Sequence, residues 1–185
     1  MERVIIFIDG SNFYHGLKET IGATNVNLKK LGEILCGKNR KLIRIYYYNA
    51  PLDQKYDTER YKAQQRWFEK VRNTPDTTLI LVRMQCRINE KTGDKEYVVK
   101  GDDIHIGVDM VKFAYNDAYD IAILVSGDGD FYPAVMTVKD KGKRVENAYF
   151  KVNHSFLLRQ TCDRSIRMDD FIEKCLDKKS FRKFS

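Results

Sequence analysis

The stretch ILVSGDGDFYPAV, residues 123–135, runs from apolar residues into two carboxylates separated by one glycine, and then into a proline. It reads as strand, tight turn and helix start. Pro133 suits the first turn of a helix and Gly142 suits the position just past its end. The apolar residues are consecutive rather than alternating, as in a strand covered on both faces of a parallel sheet. The acids that follow, Asp128 and Asp130, are either turn residues or half of a metal site.

The same pattern recurs along the chain. Short apolar runs rich in Ile, Val and Tyr lie at Val4–Ile8, Leu42–Tyr48, Thr78–Arg83, Ile121–Val125 and Val145–Phe150. Helical stretches lie between them. Asn12 is a candidate cap for a helix through FYHGLKE, DTERYKAQQRWFEKVRN puts Ala63, Trp67 and Val71 on one face, and DDIHIGVDMVKFAYNDA reads as a third helix. Alternating strands and helices predict an α/β fold with right-handed crossovers around a mostly parallel sheet. One exception is CRINEKTGDKEYVVKG, where Thr92-Gly93-Asp94 predicts a hairpin turn. A single domain is expected over residues 1–176, followed by a basic tail, 177–185, that is either a nucleic-acid arm or a frayed end.

Composition narrows the class. With 185 residues, 43% hydrophobic and 32% charged, the chain is long enough for one well-formed core. No apolar run approaches the roughly 18 residues of a membrane helix. The opening MERVIIFIDG reads as a strand rather than a signal peptide. Cys36, Cys86, Cys162 and Cys175 are scattered without a CxxC pair, which argues against structural zinc and disulfides and points to the cytoplasm. A net charge of +7 favours a polyanionic partner.

The acids carry the chemistry. In open parallel sheets, ligands bind beyond the carboxyl ends of the strands. Asp9 follows the first strand there; Asp128 and Asp130 follow the fourth. Each alone has an ordinary explanation: Asp9-Gly10 is a good turn pair, and Asp130 is a plausible cap for the helix at Pro133. Asp109 adds weight, because helical spacing puts it on the apolar face of Ile106 and Phe113, while Lys112 is expected to point elsewhere. Asp103 is expected to cap that helix. Two carboxylates about 5 Å apart repel by roughly 3 kcal/mol at an effective dielectric of 20. A hard cation, Mg²⁺ or Mn²⁺, removes that cost with oxygen ligands alone.

An aspartate-only site suits metal-assisted hydrolysis of phosphate esters. His15, His105 and His154 occur singly and read as surface or packing residues. A basic chain with an acidic cleft fits a nuclease, with Lys100, Arg83, Arg87 and the Arg60, Lys62, Arg66 side of a helix as candidate backbone contacts. Tyr46–Tyr48 offer a stacking surface, although tyrosines in a central strand are usually core.

FIDGSNFYHG, KGDDIHIGVDMVKFAY and DIAILVSGDGDFYPAV…KGKRVE together resemble the NYN domain, specifically its LabA-like branch in the PIN-like nuclease superfamily. The similarity runs from about Val4 to Phe150 and continues through FLLRQTCDRSIRMDDFI. It implies a Rossmann-like three-layer α/β/α fold and a metal-dependent ribonuclease acting on RNA, single-stranded in the first instance. The family's acidic positions fall on Asp9, Asp109, Asp128 and Asp130, with Asp103 in its KGxD element and Asn12 and Ser126 as polar neighbours. Its KGVD reads KGDD here, which adds Asp102. Nucleases of this kind often pair, so a homodimer is a candidate assembly.

Rival classes fit less well. A haloacid-dehalogenase phosphatase wants DxD where Ser11 stands, and a von Willebrand adhesion site wants a serine where Phe13 stands. The stronger alternative is a PIN-like module that binds RNA or protein without useful turnover.

Overall fold

The computed structural model describes residues 1–55, 57–82, 84–88, 95–99 and 102–177; for 84–88, 95–99 and 102 only the backbone is described. Among the described residues eight strands are found: β1 (Glu2–Asp9), β2 (Arg40–Asn49), β3 (Thr77–Leu81), β4 (Met84–Ile88), β5 (Lys95–Val99), β6 (Ile121–Val125), β7 (Arg144–Tyr149) and β8 (Arg164–Arg167). Six form one parallel sheet in the order β3-β2-β1-β6-β7-β8. The predicted hairpin is present as the antiparallel pair β4-β5, although its Thr92–Asp94 turn lies outside the described residues.

Among the described residues six α-helices cover the sheet: α1 (Gly10–Ile21), α2 (Leu28–Cys36), α3 (Thr58–Arg72), α4 (Asp102–Tyr115), α5 (Tyr132–Asp140) and α6 (Phe156–Thr161). The consecutive apolar runs follow from this two-sided cover. In β1, Val4, Ile6 and Ile8 pack with Phe13 and Leu17 of α1 and Leu31 of α2. Ile5 and Phe7 point the other way, towards Ile106 and Met110 of α4 and Val135 of α5. Side chains alternate between faces along a strand, so one strand feeds both cores. Among the described residues no helix is long and apolar enough to cross a membrane.

The sheet order makes the two edges of the sheet different. From β1 the chain builds outwards through β2 and β3, and from β6 it builds the opposite way through β7 and β8. The crevice between diverging crossovers therefore opens beyond the carboxyl ends of β1 and β6. At the other ends of these strands lie ion pairs. Arg3 grips Asp120 with two side-chain bonds of 3.2 and 2.8 Å, Arg40 reaches the buried Glu146 at 2.8 Å, and Arg144 pairs with Glu2. That edge is a structural clasp.

Three capping assignments differ from those read in the sequence. Asp9, not Asn12, caps α1, accepting the Asn12 backbone N–H at Oδ1. Asn12 stands third in the helix, where its N–H is one of the unsatisfied donors a cap serves. Asp128, not Asp130, caps the turn before α5, a 3₁₀ turn over Gly129–Phe131. Asp103 lies inside α4 rather than at its cap. Pro133 and Gly142 stand as expected, the latter with φ +80° just past α5.

Candidate active site

Asp9 ends β1 on the face that carries Ile5 and Phe7, and only 5% of it is exposed. Its Oδ1 accepts the Asn12 N–H at 3.0 Å, and its Oδ2 accepts the Ser126 hydroxyl at 3.0 Å. Ser126 directly follows β6 and is itself buried. Its Oγ in turn accepts the Asp128 N–H at 3.1 Å. One hydroxyl therefore joins Asp9 to the loop bearing Asp128, across the crevice between β1 and β6.

That loop is held by Asn12, which Asn153 braces, and by Asn147. Gly127 donates its N–H to Asn12 Oδ1 at 3.0 Å, and Asn153 Nδ2 donates to the same oxygen at 2.9 Å and to the Asn12 carbonyl at 3.1 Å. Asn147, fully buried on β7, donates to the Ser126 carbonyl at 2.8 Å and the Leu124 carbonyl at 3.2 Å. A Cβ on Gly127 would stand 1.5 Å from the Asn153 carbonyl oxygen, so the segments can approach only because residue 127 is glycine. Gly10 is similar: a Cβ there would stand 2.4 Å from the Tyr48 carbonyl oxygen. Asp128 is half-buried and accepts the Asp130 N–H at Oδ1, 2.9 Å. Asp130 itself is exposed.

Asp109 comes from the helix side. Tyr48, the residue registered beside Asp9 on β2, donates its hydroxyl to Asp109 Oδ2 at 3.0 Å. Burial, with the Asp109 charge second, pushes the Tyr48 hydroxyl well above its ordinary range, so it acts as a fixed donor. Lys112 Nζ lies 3.5 Å from Asp109 Oδ1. This corrects the expectation that Lys112 points away: residues three apart on a helix are neighbours. Asp109 therefore has a countercharge within its own helix, and its position needs no metal to explain it. Asp103 is half-buried and lies about 120° round α4 from Asp109.

Asp9 thus bonds the Ser126 hydroxyl and the Asn12 N–H, and Asp128 joins through its backbone N–H. Tyr48, registered beside Asp9, holds Asp109, while Asp130 is exposed and Asp103 lies on another side of α4. Among the described residues no three Asp, Glu, His or Cys side chains form a group able to hold a metal ion. Of the candidate backbone contacts, Arg83, Lys100 and the Arg87 side chain lie outside the described residues. Tyr47 and Tyr48 are core, as expected of a central strand. Asn147 and Asn153 are site residues absent from the sequence candidates, and Tyr48, read there as core or a stacking surface, is also the donor to Asp109. Asn147 carried a signal, an amide next to Glu146 within an apolar run, whereas Asn153 sits in a loop with no pattern.

The donor set is oxygen only. It fits a hard divalent cation, since Mg²⁺ keeps several waters and takes one or two carboxylates, with substrate phosphate completing its shell. Asp9, and Asp128 on the turn tied to it through Ser126, are the residues that could hold one.

Comparison with known proteins bears on the fold and the family. A protein of unknown function from Vibrio parahaemolyticus has a crystal structure that matches with a TM-score of 0.70 at 22% identity, covering 92% of this chain and 95% of that one. That likeness extends to the fold. No curated protein matches by sequence. The NYN domain family matches residues 3–169. The chain belongs to the NYN domain family, within the PIN-like nuclease superfamily.

Proposed function

We propose that this protein is a metal-dependent ribonuclease of the LabA-like branch, hydrolysing phosphodiester bonds of RNA, single-stranded in the first instance. The observation that carries the reading is that the Asp9 carboxylate and the backbone N–H of Asp128 share the Ser126 hydroxyl at the switch point of the sheet. Asp9 and Asp128 would hold the ion, with Asp109 and Asp130 completing the acidic rim. An Mg²⁺ or Mn²⁺ ion there supplies charge for the scissile phosphate and activation of water.

The chain's own part is positioning. Donors on both oxygens, from Asn12 and Ser126, stop the Asp9 carboxylate rotating. Asn12 and Asn153 lock the Gly127 backbone, and with it the spacing between Asp9 and Asp128. Tyr48 fixes Asp109 at the rim. The net charge of +7 favours a polyanionic partner. Scattered cysteines and the absence of clustered ligands in sequence fit a reducing cytoplasmic setting.

A second reading has one observation in its favour. Asp109 is neutralised by Lys112, which suits a PIN-like module that binds RNA without cutting it. Asp9→Asn separates the two. A ribonuclease loses Mn²⁺- or Mg²⁺-dependent cleavage of labelled RNA while still retaining RNA on a filter; a binding module shows no cleavage before or after the change.

A further inference from the structure

On the opposite face of the sheet from Asp109, a cavity of about 530 Å³ opens between α1, the end of β2 and α3. Gly10 and Ser11, which directly follow Asp9, form part of its wall. Its size falls in the range of pockets that enclose small organic ligands. Its lining combines aromatic rings with cations, including Tyr14, Tyr47, Trp67, Arg60 and Arg66.

The rings are set firmly. Tyr47 meets Trp67 edge-on at 5.9 Å, and the Lys70 ammonium lies 5.2 Å from the Trp67 ring. Lys70 is fully engaged, bonding the Val26 carbonyl at 2.8 Å and Asp177 at 2.5 Å. The guanidiniums are not. Arg60 has only a loose contact with Asp57 at 3.9 Å, and Arg66 is exposed with no ion pair among the described residues. The rim thus offers positive charge, and the interior offers flat apolar surface.

We propose that this cavity is a nucleotide subsite. A base of the RNA strand, one flanking the scissile position, enters and stacks on the aromatic wall, while Arg60 and Arg66 take its phosphate. Base–aromatic stacking tolerates any base, and guanidinium forks match phosphate oxygens. The proposal rests on the ribonuclease reading for its place beside Asp9. The pocket would grip the strand outside the acidic crevice and set which phosphate reaches it.

Trp67 is the single tryptophan of the chain, so its fluorescence reports on the pocket alone. The probes are adenosine monophosphate and ribose 5-phosphate, each titrated in EDTA into wild type, Arg66→Gln and Asp128→Asn. The expected result is saturable quenching by adenosine monophosphate but not by ribose 5-phosphate. It is unchanged in Asp128→Asn, and about tenfold weaker in Arg66→Gln, the loss of one charge-assisted contact. Equal responses to both probes, no response to either, or no effect of Arg66→Gln overturns the proposal. Cleavage is read separately. Quenching without any RNA cleavage would sink the ribonuclease reading and leave the pocket standing, and cleavage without quenching would do the reverse.

Discussion

The Ser126 hydroxyl donates to Asp9 Oδ2 at 3.0 Å, joining the ends of two strands whose crossovers leave in opposite directions. The same Oγ accepts the Asp128 N–H, so a single atom ties Asp9 to the backbone of the turn that carries Asp128. Ser126→Ala removes both bonds and leaves the Asp128 N–H without this acceptor. At about 1 kcal/mol for each bond, stability should fall by roughly 1–2 kcal/mol, read from the urea midpoint. RNA cleavage should fall more steeply than stability, because Asp9 loses one of its two clamps. Unchanged cleavage in a folded variant would show that this clamp is idle.

Gly127→Ala tests the crossing of segments. Its Cβ would meet the Asn153 carbonyl oxygen at 1.5 Å, a backbone atom that cannot swing aside. The expected cost is at least about 2 kcal/mol, in the range of overpacked sites. Thermal unfolding gives the answer, and a melting temperature equal to wild type would mean that the two loops are not held together.

Lys112→Gln and Tyr48→Phe ask what holds Asp109. Surface ion pairs contribute little, so Lys112→Gln should change stability by less than about 1 kcal/mol. Tyr48→Phe removes a largely buried donor from a carboxylate and should cost about 1–3 kcal/mol. If Asp109 works at the acidic rim, Tyr48→Phe lowers kcat while Lys112→Gln leaves or raises it. Equal effects of both on cleavage would place Asp109 outside the working site.

Much of this arrangement is legible in the sequence, for stated reasons. A parallel strand is buried on both faces, so its apolar run is unbroken and the first polar residue marks its carboxyl end. That rule locates Asp9 and the Ser126–Asp128 turn. What it leaves out is pairing across the chain. Tyr48 is core by every local criterion, and only the register of β2 beside β1 brings its hydroxyl to Asp109. The Lys112 contact was readable from its spacing of three, which outweighs the wheel argument against it. Helix α2 is signalled by Asn27 and by Leu28, Leu31 and Leu35, a pattern that a reading guided by strands passes over. Asn153 has no local mark at all, since it acts only through its contact with Asn12.

Stability should also respond to acid at the far edge of the sheet. The Arg3 guanidinium, by its side-chain hydrogen bonds, holds Asp120 well below the usual carboxylate range. A depressed folded pKa contributes stability above the ordinary value of about 3.9 and loses it as pH falls below that value. Asp120→Asn should therefore be less stable than wild type near neutrality and show a flatter loss of stability between about pH 4 and pH 2. Parallel curves for the two proteins would remove this pair from the acid response.

The central claim is that Asp9 and Asp128 form a working carboxylate pair for cutting RNA. Its most direct test is cleavage of a labelled single-stranded RNA by wild type and Asp128→Asn, each with Mn²⁺, Mg²⁺ or EDTA. The account predicts cleavage by wild type with a divalent ion, none in EDTA, and a loss of at least about a hundredfold in Asp128→Asn, comparable to removing one stabilising contact at a transition state. Cleavage that persists in EDTA, or in a folded Asp128→Asn at the wild-type rate, would contradict it.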